Sequence, residues 1–119
     1  MRRRLAAATL VGLAAFGPAT ATARAPVTLG IAEREFRIST YADTVKRGPV
    51  KFNVTNFGQD THNLVIIGPR HFRVNGPDVQ PGGRASVGAT LRRPGTYYLI
   101  CTRANHRKLA MHAKLIVKH

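Results

Sequence analysis

One cysteine, Cys101, stands in a chain of 119 residues, so no internal disulfide can form. Acidic residues are almost as scarce: five Asp and Glu face 19 Lys and Arg, for a formal charge of +14. No apolar run approaches the roughly 20 residues that a membrane-spanning helix needs. No helical period is sustained, and there are no repeats, low-complexity tracts or interdomain linkers. Aromatics interleaved with basic residues are sparse and no nucleic-acid-binding motif is present, which argues against nucleic acid as a partner despite the charge. No carboxylate stands next to a nucleophile or histidine cluster in a way that suits general-base work, Asp60 being the nearest in sequence. The chain therefore does not read as an enzyme.

The N-terminus reads as a leader. Met1-Arg2-Arg3-Arg4 is a positive segment, Leu5 to Phe16 is apolar apart from Thr9 and Gly12, and Gly17-Pro18 breaks the run. Ala21-Thr22-Ala23 and Ala23-Arg24-Ala25 both fit small-x-small cleavage. The consecutive arginines also admit a twin-arginine signal. Residues 1–25 are thus expected to be a signal peptide and 26–119 a single domain, periplasmic or extracellular. The alternative is an uncleaved anchor. No cysteine near the cleavage region supports lipid attachment. Removing the leader takes four arginines and leaves 15 Lys and Arg against five acidic residues, a balance of +10. Such a field attracts acidic proteins or anionic envelope surfaces. It also suits mere solubility.

The rest alternates with period two. Val27, Leu29 and Ile31 form one such set; Phe36 and Ile38, then Val50, Phe52 and Val54, form others. His62, Leu64 and Ile66 share a strand face, as do Tyr97, Leu99 and Cys101. Lys46-Arg47-Gly48-Pro49 and Pro94-Gly95 read as turns, and Gly68–Arg84 as loops with at most a short edge piece. About seven short strands over some 90 residues predict an all-β Greek-key sandwich, with a small barrel as the alternative.

An exported thiol must be buried or bound, or it oxidises. Cys101, His106 and Met111 are spaced C-x4-H-x4-M, and His62 opens an earlier strand. A strand-to-strand loop of that size can aim three side chains at one point, and His62 joins them if its strand packs nearby. Two imidazoles, a thiolate and a thioether make a donor set that suits copper. His2Cys with a weak axial Met is the blue-copper electron-transfer arrangement, which suits neither oxidation state ideally and so needs little rearrangement between them. Each residue also has a plainer reading: Cys101 and Met111 as core packing, His62 as a turn residue, and His71, His112 and His119 as solvated surface groups.

The chain here resembles the cupredoxin family. Asn53-Val54-Thr55-Asn56 leading to His62-Asn63, Pro94-Gly95-Thr96-Tyr97-Tyr98 leading to Cys101, and the terminal Lys114-Leu115-Ile116-Val117 carry the likeness over about residues 30–118. The C-x4-H-x4-M spacing is similar to that of rusticyanin. The resemblance implies one mononuclear type 1 copper held by His62, Cys101, His106 and Met111. It implies that Asn63 ties its loop to Thr102, and that the ring edge of His106 is partly exposed as an electron gate. The leading reading is a monomeric carrier of single electrons, whose positive field favours an acidic redox protein such as a cytochrome or oxidase. Copper storage, delivery or resistance is the alternative function. Asn105 and Ala110 stand where the family commonly has glycine, and Arg103, Arg107 and Lys108 make the loop unusually basic.

Overall fold

The computed structural model describes residues 7–17 and 24–119. Parts of the expected leader, residues 1–6 and 18–23, lie outside the described residues. Residues 7–17 carry no helix or strand and are exposed. Among the described residues no helix is long and apolar enough to cross a membrane.

Residues 27–118 form nine strands: β1 (Val27–Arg34), β2 (Arg37–Thr40), β3 (Thr44–Lys46), β4 (Gly48–Asn56), β5 (His62–Gly68), β6 (Phe72–Val79), β7 (Arg84–Leu91), β8 (Gly95–Ile100) and β9 (His112–Lys118). They build a two-sheet sandwich, with strand orders β2-β1-β4-β7 and β3-β9-β8-β5-β6. The pairs β1–β4 and β3–β9 are parallel and the others antiparallel.

Alternation explains the layering. Leu29 and Ile31 of β1, Phe52 and Val54 of β4 and Val87 and Leu91 of β7 face Leu64 and Ile66 of β5, Tyr97 and Leu99 of β8 and Leu115 and Val117 of β9 in one core. Burying a side chain of this size contributes about 1.5–3 kcal/mol. Tyr97 is buried to its hydroxyl, which donates to the Arg93 carbonyl at 2.9 Å, so its polar end is satisfied.

Two strands exceed the sequence expectation. β3 is a three-residue ribbon that ends in the stretch read as a turn. β6 occupies most of the segment read as irregular, as the edge strand beside β5. Its Phe72-Arg73-Val74-Asn75 stretch does alternate, but Gly76-Pro77 masks the pattern. Those two residues oppose Leu64 alone, in a bulge between the Asn63–Asp78 and Val65–Asn75 pairs. A β-carbon on Gly76 would collide with the Leu64 carbonyl, so the bulge needs glycine there. Phe36 also departs from expectation. It sits at the tip of the β1–β2 hairpin, partly exposed, rather than on a strand face with Ile38.

Candidate metal centre

The site lies at one end of the sandwich, where three connections meet. His62 opens β5 after the loop Phe57–Thr61, and that loop is fixed from two sides. The Asn56 amide donates to the Asp60 carbonyl at 2.8 Å and to the Val79 carbonyl at 2.9 Å, and its oxygen accepts the Gly58 N–H at 2.8 Å. The Glu35 carboxylate, reaching over from the β1–β2 hairpin, accepts the N–H groups of Gln59 at 2.7 Å and Asp60 at 2.6 Å. Gly58 leaves room for it, because a β-carbon there would run into the Glu35 carboxyl. These backbone bonds, that from Asp60 foremost, hold the Glu35 carboxyl down at about 2, so it is ionised at neutral pH.

Cys101 follows the last residue of β8, and residues 102–111 return to β9 through a coil of turns. The Met111 N–H donates to the His106 carbonyl at 3.1 Å, and the Met111 carbonyl accepts the Cys101 N–H at 3.2 Å, closing the coil on itself. Ala110, where the family pattern commonly has glycine, takes a left-handed φ of 66°. Asn63 and Thr102 join the two segments by a reciprocal pair. The Asn63 amide donates to Thr102 Oγ1 at 2.8 Å, and Asn63 Oδ1 accepts the Thr102 N–H at 2.8 Å.

These constraints bring His62, Cys101 and His106 together in a buried cluster. Nδ1 of His62 lies 3.2 Å from Nδ1 of His106, and Cys101 Sγ lies 3.9 Å and 3.5 Å from those two nitrogens. The point equidistant from the three atoms is about 2.1 Å from each, within the roughly 2.0–2.3 Å of metal bonds to imidazole nitrogen and thiolate sulfur. Met111 is fully buried beside the cluster, bonded through its backbone to both Cys101 and His106. His71, His112 and His119 are exposed and take no part in the cluster.

The far edges of the imidazoles support metal binding. Nε2 of His62 lies 3.1 Å from Glu35 Oε1, and Nε2 of His106 lies 3.5 Å from Asp60 Oδ2. A proton on Nε2 of His62, facing Glu35, would leave its Nδ1 lone pair toward the cluster, and a cation between the two close Nδ1 atoms would satisfy both. Burial pushes the Cys101 thiol up, offset in part by the N–H groups of Asn63 and Arg103 that face the sulfur. A bound cation reverses that balance, since a coordinating thiol is deprotonated. The residues present therefore fit a small thiophilic cation.

His106 is largely enclosed, with 5 % of it reaching solvent. The Phe36 ring lies against it at 5.0 Å between centroids, tilted by 55°, and Asp60 stands beyond its Nε2. The sequence reading missed Glu33 and Glu35. Glu33 continues the period-two series Leu29, Ile31 onto the buried face, a signal that was there to read. Glu35 had no such signal, because the hairpin that carries it meets His62 only through long-range pairing.

No protein-family model matches the chain, and no curated protein does. Solved structures do match in fold. Auracyanin from the photosynthetic bacterium Roseiflexus castenholzii superposes with a TM-score of 0.61 at 18 % identity, over 82 % of this chain and 100 % of its own. Auracyanin A from Chloroflexus aurantiacus, described as a "blue" copper protein, gives 0.61 at 22 % identity, over 79 % and 100 %. A multicopper oxidase gives 0.62 at 11 % identity, covering 80 % of this chain but only 45 % of its own. The sandwich is thus of the cupredoxin type.

Proposed function

We propose that this chain is an exported type 1 copper protein that transfers single electrons, in which His62, Cys101 and His106 would hold the ion and Met111 would add a weak thioether donor. The observation that carries the reading is the triangle of two Nδ1 atoms and one thiol sulfur, sized for one ion and closed to solvent. The donor set selects copper among the first-row metals, because thiolate and thioether favour Cu(I) while imidazole suits both oxidation states. Copper supplies the one-electron couple. The protein supplies a fixed cage, with Asn63–Thr102 locking the two ligand segments and Glu35 orienting the His62 ring. The fold likeness to auracyanin A, described as a "blue" copper protein, supports the same reading.

Electrons pass at the end of the sandwich where His106 lies. Phe36, 37 % exposed and packed on the His106 ring, covers the route to solvent that a bare imidazole edge would otherwise provide. Arg107 and Lys108 are exposed on the neighbouring coil and favour an acidic redox partner, such as a cytochrome or oxidase. Docking of this kind is small and transient, and the partner meets a monomer. The leader expected over residues 1–25 supports export to the periplasm or outside the cell.

The test is to load the purified protein with one equivalent of Cu(II) and cycle it between a mild reductant and a mild oxidant. An intense visible thiolate-to-copper band that bleaches and returns over repeated cycles is expected. Colourless binding of Cu(I) alone, with no reversible cycle, would assign the protein to copper storage or delivery instead.

A further inference from the structure

Among the described residues, the only buried side-chain polar atoms without a hydrogen-bond partner are the two carboxylate oxygens of Glu33. The residue is completely buried on the inner face of β1, following Leu29 and Ile31 toward the metal end of the sandwich. Orphaned carboxylates of this kind are costly and need an explanation. Its position suggests one. Glu33 pairs across the sheet with Asn56, the residue whose side chain fixes the loop leading to His62, which sets Glu33 at the metal end of the core. The basic group that acts on the Cys101 thiol, Arg103, lies at the surface and is paired with Asp78 at 3.2 Å. The distribution of charge points the same way. Of only five acidic residues in the chain, Glu33, Glu35 and Asp60 all surround this site. Glu35 and Asp60 reach solvent, which screens them; Glu33 does not.

We propose that Glu33 is a specificity-determining residue of the centre, a buried counter-charge that favours a divalent ion over a monovalent one. The inference rests on reading the cluster as a metal site. The charge arithmetic is simple. One thiolate neutralises a monovalent ion, but a divalent ion bound to it leaves one positive charge inside the sandwich. Glu33 supplies the missing negative charge. With a monovalent ion the same carboxylate is surplus, and in the apo chain it has no partner at all. For copper, Glu33 therefore favours the oxidised ion and lowers the reduction potential.

The experiment compares the full wild-type protein with Glu33→Gln and Glu33→Leu. Two redox-inert probes, Zn(II) and Ag(I), are titrated into each, and the copper potential and apo melting temperature are measured. In both variants Zn(II) affinity is expected to fall by about tenfold or more, since a charge in a low-dielectric interior acts strongly. Ag(I) affinity should not fall. Each tenfold fall in the Cu(II)-to-Cu(I) affinity ratio raises the potential by about 59 mV. The apo variants should melt higher than wild type. An unchanged Zn(II)-to-Ag(I) ratio and potential would overturn the inference while leaving the metal site intact. Failure of wild type to take up either ion would overturn the site and the inference together. Failure of both variants to fold would also overturn it, because the carboxylate would then be needed by the apo chain rather than tolerated by it.

Discussion

The reciprocal pair between Asn63 and Thr102 is the direct bond between the two segments that carry the ligands, and its energy can be worked from the structure. Asn63→Ala removes both hydrogen bonds, each 2.8 Å long, and leaves the Thr102 N–H and hydroxyl partly buried without partners. At roughly 0.5–1.5 kcal/mol per bond, plus about 1 kcal/mol for the stranded N–H, the loss is about 2–4 kcal/mol. Thr102→Ala removes only the hydroxyl acceptor and keeps the N–H bond to Asn63 Oδ1, so it should cost about 1 kcal/mol. The double variant should resemble Asn63→Ala alone, because the hydroxyl bond is already gone there. The coupling energy is then about 1 kcal/mol. Urea denaturation of the metal-free proteins measures all three values, and for a domain of this size the Asn63→Ala loss amounts to ~10 °C or more in melting temperature. A cost below about 0.5 kcal/mol for Asn63→Ala, or strict additivity in the cycle, would refute the idea that this pair locks the site.

Other outcomes follow from single features. Ala110 sits at φ 66°, a region that favours glycine, so Ala110→Gly should stabilise the apo protein by about 0.5–1 kcal/mol in a thermal melt after the added chain entropy is subtracted. Because the Glu33 carboxyl is raised from 4.5 to about 7, the folded apo chain holds a proton there that the unfolded chain releases. Apo stability should therefore fall by about 3 kcal/mol as pH rises through that window, and urea melts of Glu33→Gln across the same range should lack this slope. Glu35, held at about 2, acts in the opposite sense and lower down: its contribution is present above 4.5 and lost as pH falls toward 2. Reduction by an acidic cytochrome should slow as salt rises, since the charges on the coil are screened; stopped-flow mixing at several ionic strengths reads this directly.

How much of this was legible in the sequence depended on whether the signal was local. The alternation of Val50, Phe52 and Val54 and the run from Tyr97 to Cys101 announce buried strands because side chains two apart share a face. The spacing of Cys101, His106 and Met111 predicts one short connection, and the structure coils those ten residues tightly enough that Met111 bonds back to both other positions. β6 was obscured because a bulge breaks the period at Gly76-Pro77, and the interruption is what its pairing with Leu64 requires. The hairpin contribution was harder to see. Glu35 and Phe36 reach His62 and His106 only because β1 runs parallel to β4, and no local pattern encodes that pairing. The cover over His106 was hidden for the same reason: the ring packed on it comes from 70 residues earlier in the chain.

The central claim is that two imidazole nitrogens and one thiolate converge on a single ion. X-ray absorption at the copper edge tests it most directly, on the protein loaded with one equivalent and on Cys101→Ser treated alike. The account predicts two nitrogen donors and one short sulfur donor at about 2.0–2.3 Å in the loaded protein, with the sulfur shell gone in the variant. A copper surrounded only by nitrogen and oxygen, or a sulfur shell that survives the loss of Cys101, would contradict it.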